Sequence, residues 1–331
     1  MPELAIRTRV WRNGILEAEN FPFEQVSDYL DEPDCLVWAD LLCPDEHTIA
    51  QIAEELSLDP HAVEDSLSRR ERPKATRYAT HLFLTTYAIA QSTENSPHGV
   101  RIGRVSAFNT KRGFVTVRLD DTLDMDAVVA RWDENSDLIK YGTRTLIHGL
   151  LDEIVDRYFD AVQSLDDQVE AIEDILFDEN TKAVRQVSKA TFSLRHTLVD
   201  IRRVILPMRE VIATVMRRVT SDDQAPELMP YYEDLYDHAL RAAEQTDSVR
   251  DMISSIFETN MSLSDNRMNT IMKKLTGWAA IIAVPTAVTG YFGQNVPYPG
   301  FGRPWGFWLS VASIALIAGA LYWSFRKRDW L

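Results

Sequence analysis

Two stretches near the C-terminus carry no Asp, Glu, Lys or Arg: Leu275 to Phe292 and Trp305 to Phe325. Each reaches the roughly 18–20 residues a helix needs to cross about 30 Å of hydrocarbon. A helix of that length in a water-soluble core would carry a charged face, and neither run has one. The reading is therefore a helical hairpin through a membrane. Lys273 and Lys274 precede the first run, and Arg326, Lys327 and Arg328 follow the second. The short connection holds one base, Arg303. The positive-inside rule then puts both outer flanks, and so both termini, in the cytoplasm. Trp305, Trp308, Tyr322, Trp323 and Trp330 supply interfacial aromatics. The N-terminus, MPELAIRTRVWRNG, lacks an apolar h-region, which predicts no cleavable signal.

The chain has 331 residues, 45% of them hydrophobic, and a formal charge of −15. That apolar content supports a packed core. The acidic balance argues against a nucleic-acid binder and favours cationic partners. Cys35 and Cys43, the two cysteines, show no zinc-ligand spacing. There is no Gly-rich phosphate loop, no Ser/His/Asp set and no HExxH, so neither a hydrolase nor an ATP-driven pump is expected.

Residues 1–142 read as an α/β unit. LAIRTRVW and CLVWADLL alternate as strands, DEHTIAQIAEEL and PHAVEDSLSRR read as short helices, and HLFLTTYAIA, VRIGRVSAFNT and GFVTVRLD are β-rich. Residues 143–219 change character. Leu151, Ile154, Val155, Tyr158, Val162, Leu165, Val169 and Ile172 recur at three and four spacing, the mark of long amphipathic helices. The acids Glu170, Glu173 and Asp174 read as a solvated helix face, and His196 and His238 as structural. After the turn chemistry of TSDDQAPEL, residues 226–292 read as one helix interrupted only by Gly277, Pro285 and Gly290, about 100 Å long. The second span is 305–325 and the basic tail 326–331.

One line of that helix holds Glu258, Ser262, Asp265, Asn269, Met272, Thr276, Ala279, Ala283, Thr286 and Gly290. The steps are those of a coiled-coil seam, yet the residues are polar or small. A solvated face explains its first half, and small or hydroxylated residues also mark ordinary packing between membrane helices. A water-filled path between several copies explains the whole line. The connection, 293–304, opens with Gly293, Gln294 and Asn295, and Pro297 and Pro299 forbid continuation of the helix. By spacing alone these three are a plain turn. As a pore mouth, their amide oxygens would accept hydrogen bonds from the water shell of Mg2+, which dehydrates reluctantly.

This order of parts resembles the CorA family of magnesium channels. Gly293-Gln294-Asn295 stands where that family has Gly-Met-Asn, NRMNTIMKKLTGWAAIIAVPTAVTGYFG is similar to its pore helix, and YYEDLYDHALRAAEQTDSVRDMISSIFE to its stalk. ERPKATRY and FVTVR are similar to its cytosolic domain. The resemblance implies a funnel-shaped homopentamer in a plasma (inner) membrane: an α+β cytosolic domain, a long helical stalk and two C-terminal transmembrane helices. It implies passive uptake of Mg2+, with Co2+ or Zn2+ as alternative cargo, and no enzyme activity. Asn295 would form the outer ring, Thr286 and Gly290 the upper pore, Met272, Leu275 and Asn269 the constrictions, and Glu258 the inner mouth. Regulatory Mg2+ would bind between subunits at Asp234, with Asp237 near it. Three positions depart from the family pattern: Gln294 is not Met, the connection has no acid, and the strand around Tyr87 lacks the partner carboxylate. A zinc transporter of the related ZntB branch and a non-conducting metal-sensing scaffold are the alternatives.

Overall fold

The computed structural model describes residues 5–68, 71–91, 99–176, 181–220 and 226–330. It divides into two compact units, Met1–Ile256 and Phe257–Leu331.

The first unit opens with β1 (Ala5–Arg12), β2 (Ile15–Glu19), α1 (Val26–Asp31), β3 (Cys35–Leu42), α2 (Glu46–Glu55) and α3 (Pro60–Leu67). Then follow β4 (Lys74–Arg77), β5 (Leu82–Gln91), β6 (Val100–Asn109), β7 (Gly113–Arg118) and α4 (Met125–Glu134). The strands form one sheet in the order β2-β1-β3-β7-β6-β5-β4. Only the central β3–β7 pair is parallel, and the other neighbours are antiparallel. The centre follows from composition. All of β7 and all of β3 except its last residue are buried, as apolar runs covered on both faces must be. The short, charged β4 and the largely exposed β2 stand at the edges, where such strands resist further pairing.

On one face Ala39, Leu41, Val115, Val117, Phe83 and Phe108 pack against Ile49, Ile52 and Ala62 of α2 and α3. Both helices start where acids permit. Asp45 accepts the Thr48 N–H at 2.8 Å and Asp59 the His61 N–H at 2.9 Å. On the other face Trp38 meets Trp132 of α4 edge-on, ring centroids 4.9 Å apart. Trp132 also packs on α5 (Thr143–Leu176), where it donates to the Leu146 carbonyl at 3.1 Å. A Cβ at Gly149 would sit 2.6 Å from that indole, which is why glycine stands there.

α5 buries every apolar residue of the expected stripe, Leu151 to Ile172. Its fully buried Tyr158 donates to the Tyr87 carbonyl at 2.7 Å and so ties the helix to β5. α6 (Thr181–Ile205) and α7 (Met208–Thr220) are separated at Pro207, which has no N–H to continue the ladder. α8 (Met229–Phe292) begins in this unit and buries Tyr232, Leu235, Ala239, Ala242, Thr246, Val249, Ile253 and Ile256, a regular three-four seam.

α8 passes through Gly277, Pro285 and Gly290 without a break, where the sequence suggested interruptions. One turn beyond the proline the Thr289 hydroxyl donates to the Pro285 carbonyl at 2.7 Å, a helix-internal bond that suits an apolar surround. The second unit holds the remainder of α8 and α9 (Pro304–Lys327).

His81 gives the first unit an acid limit. Its ring is 1% exposed, stacks on Tyr78, and its Nε2 has no partner. Burial pushes the pKa of His81 below the usual histidine value, against the attraction of Asp59. The unfolded chain takes up this proton below about pH 6.5 while the folded chain resists it, so stability falls as pH drops through that value. Thermal unfolding at pH 7.5 and 5.5 will show this loss, and His81→Phe will lessen it. An identical acid loss in the variant would refute the assignment.

Candidate functional site

α8 offers two faces. The buried seam, Tyr232 to Ile256, covers the helix on its own chain's side. The sequence stripe lies two positions further round: Glu258 against Ile256, then Ser262, Asp265 and Asn269 in step with it. Two residues are about 200° of helix, so the stripe lies on the opposite face. Glu258, Ser262, Asp265, Asn269, Met272, Thr276, Ala279, Ala283, Thr286 and Gly290 are all exposed, as is Leu275. Among the described residues this line of polar and small side chains is exposed along its whole length.

The helix ends at Phe292. The Gly293 N–H returns to the Thr289 carbonyl at 2.8 Å, and Gln294 N to Tyr291 O at 3.4 Å. A Cβ on Gly293 would lie 2.9 Å from that same Thr289 oxygen, so the turn needs glycine for close backbone approach. Gln294 and Asn295 follow with exposed side chains. Tyr298 packs edge-on against Phe292 and Phe301, at 5.1 and 5.2 Å. Gly300 (φ 93°) fits against Gly306 of α9, where a Cβ would meet the Gly300 oxygen at 2.4 Å. The connection is thus held from both sides, with the amides of the motif at its free edge.

Asp234 and Asp237 lie on α8 in the first unit, with side chains 67% and 59% exposed. Asp237 pairs with Arg241 at 3.0 Å, and Asp234 stands 3.6 Å from His238 Nε2. β5 brings no carboxylate to them. Tyr87 faces Arg104 across the β5–β6 ladder and gives its hydroxyl to the Glu71 carbonyl. His238 has company the sequence did not announce: ligand atoms of Asp152, Asp156 and His238 lie within 4.8 Å of one another. Its Nδ1 is buried without a hydrogen bond. Arg131 reaches the same place, pairing with Asp152 and Asp156 and with Glu153 at 2.8 Å. Two carboxylates suit Mg2+, whereas the imidazole suits Co2+ or Zn2+ better. Any divalent ion there would compete with Arg131. The other such group among the described residues, Glu32, Asp34 and Cys35, already faces Arg12, and burial pushes the Cys35 thiol up. Neither group includes the exposed Glu170, Glu173 or Asp174.

The fold and the two apolar helices, α8 and α9, define a membrane protein whose long helix carries a polar line from the α/β unit into its apolar span. The chain belongs to the CorA family: the family described as CorA-like Mg2+ transporter protein matches residues 34–327. It is a divalent-cation transporter of that family. The cobalt/magnesium transport protein CorA of Thermotoga maritima is 28% identical over 285 residues, 86% of this chain and 80% of that protein. The zinc transport protein ZntB of Cronobacter sakazakii is 24% identical over 294 residues, 85% and 84% of the two chains. Among solved structures, the CorA magnesium transporter of Methanocaldococcus jannaschii superposes over 100% of both chains with a TM-score of 0.78 at 22% identity.

Proposed function

We propose that the chain is a passive, membrane-potential-driven channel for Mg2+, with Co2+ as a second cargo, formed by five copies around a common axis. The observation that carries this reading is the uncovered stripe of α8. It lies opposite the chain's own packing seam and runs from Glu258 to Gly290 in one unbroken helix. Facing an axis, it lines a wet path whose wall is carboxylate and amide below and hydroxyl or small residues within the bilayer. Asn295 forms a ring at the outer mouth and takes the hydrated ion through its waters, with Gln294 and Gly293 shaping the turn. Both termini lie in the cytoplasm of an inner-membrane protein, as the flanking bases favour. A divalent ion moving inward gains about 4.6 kcal/mol per 100 mV, so no chemical step is needed.

Negative feedback resides in the acids at the head of α8. Asp234 and Asp237, exposed on each subunit, meet a neighbour's surface, and a shared Mg2+ neutralises their mutual repulsion and favours the closed ring. A zinc reading draws on two observations: Gln294 departs from the Gly-Met-Asn pattern, and His238 adds a nitrogen to the acidic group of α5.

Uptake of Mg2+, Co2+ and Zn2+ measured side by side in liposomes tests these readings. Mg2+ flux that follows an imposed negative-inside potential, and drops with Asn295→Ala, is the expected outcome. Zn2+ flux requiring a proton gradient would replace it with the zinc reading, and no flux of any ion would leave a scaffold. Asp234→Asn with Asp237→Asn is expected to raise by several-fold the lumenal Mg2+ needed to halve uptake. An unchanged value would place the feedback elsewhere.

A further inference from the structure

We propose that Tyr298 is a positioning residue for the Gly293-Gln294-Asn295 turn, and that its ring sets how sharply the mouth separates Mg2+ from Co2+. This rests on the reading of Asn295 as the outer mouth. Phe292 and Tyr298 stand six positions apart, yet their rings meet edge-on with centroids 5.1 Å apart. Tyr291 approaches the same ring at 6.2 Å. Gln294 and Asn295 lie inside the loop that this contact closes, with exposed side chains.

Local sequence prepares Tyr298 for that contact, because it stands between Pro297 and Pro299. Pro297 holds its own φ at about −65°. A residue before proline, here Val296 and again Tyr298, is pushed to extended backbone. Tyr298 then opens a turn: its carbonyl accepts the Phe301 N–H at 2.9 Å, with Pro299 second and Gly300 third at φ 93°. Proline at the second place and a positive φ at the third are the marks of a type II turn. The turn brings Phe301 back to Tyr298, edge-on at 5.2 Å. Gly300 meanwhile seats against Gly306 of α9, where a Cβ would meet the Gly300 oxygen at 2.4 Å. One ring thus joins the end of α8 to the start of α9.

The backbone of the motif does not hold itself. On the α8 side the last bond is Gln294 N–H to the Tyr291 carbonyl at 3.4 Å, and on the α9 side the first is that of Phe301. Among the described residues no backbone hydrogen bond holds Asn295 or Val296 between them. The ring contact therefore decides how far the Asn295 amide can move. An amide oxygen kept at a fixed distance accepts hydrogen bonds from an intact water shell. One free to approach displaces a water and meets the metal directly. Mg2+ dehydrates reluctantly, whereas Co2+ takes protein ligands directly, so slack in this turn works against Mg2+.

Uptake of Mg2+ and of Co2+ into liposomes holding the full-length protein tests this, read as half-saturating concentration and as the ratio of the two ions. Both are independent of how many copies are folded, so a merely structural loss lowers the maximal rate and leaves them unmoved. Tyr298→Ala is expected to raise the half-saturating Mg2+ at least fivefold and to lower the Mg2+/Co2+ ratio at least threefold. Tyr298→Phe, which keeps the ring, stays within twofold of native in both. Tyr298→Leu carries the same test, with the same direction expected, should the alanine variant pass no ion. Native values in the alanine or leucine variant, or a phenylalanine variant as impaired as alanine, would overturn the proposal. Asn295→Ala, run in parallel, tells the two failures apart. If it alters the ratio while Tyr298→Ala does not, the ring has no such role and the mouth stands. If Asn295→Ala itself is native, the mouth lies elsewhere and the role of Tyr298 falls with it.

Discussion

Gly293→Ala is expected to cut divalent-cation uptake at least tenfold, while Gly290→Ala leaves the chain folded and no less stable. The two glycines lie three residues apart near the end of α8, yet they meet different surroundings. A Cβ at 293 would stand 2.9 Å from the Thr289 oxygen, the atom that receives the Gly293 N–H at 2.8 Å. That oxygen belongs to the helix ladder and cannot swing aside as a side chain would. The last turn must therefore open, and Gln294 and Asn295, next in the chain, move with it. At 290 a Cβ meets nothing within 4 Å, and Gly to Ala inside a helix stabilises by roughly 0.5–1 kcal/mol. Reduced uptake in Gly290→Ala at equal or higher thermal stability would have no cause within the single chain and would mark a neighbour or ion at that point of the stripe. Mg2+ uptake into liposomes, with unfolding temperature measured in parallel, separates the two. Native flux in Gly293→Ala would sink the assigned role of the turn.

The parts of this protein legible in the sequence are those fixed by short-range pattern. The α5 stripe and the two uncharged runs are periodic or continuous, so burial and span follow from spacing alone. The stripe of α8 was visible for the same reason, although its placement opposite the buried seam required the structure. The passage of α8 through Pro285 was not legible, because a helix tolerates a proline where its context keeps the ladder closed. The meeting of His238 with Asp152 and Asp156 joins positions more than 80 residues apart. No local period encodes it. The strand order has the same origin, since β3 pairs with β7 only after two helices and three strands have intervened.

Asp40→Ala is expected to destabilise the first unit by about 3–5 kcal/mol, the penalty for leaving one buried charge without its partner. Asp40 is 0% exposed and Arg118 5%. Arg118 Nε lies 3.0 Å from Asp40 Oδ1 and its Nη2 2.5 Å from Oδ2, a two-pronged pair across the parallel β3–β7 ladder. The remaining capacity is also used: Thr116 Oγ1 donates to Asp40 at 2.7 Å, Trp38 Nε1 to Thr116 at 3.2 Å, and Arg118 Nη1 to the Leu123 carbonyl at 3.1 Å. Removing Asp40 strands the guanidinium and the threonine hydroxyl together in the layer under Trp132. At about 2–4 °C per kcal/mol for a unit of this size, the unfolding temperature should fall on the order of 10 °C. Asp40→Leu with Arg118→Leu removes both charges and should cost clearly less than either single change, because desolvation offsets most of the pair's attraction. Were the double variant as unstable as Asp40→Ala, the damage would arise from lost packing and lost Thr116 and Leu123 bonds. The charge pair would then hold β3 beside β7 chiefly as a spacer, and shape alone would have to account for the one parallel joint in the sheet.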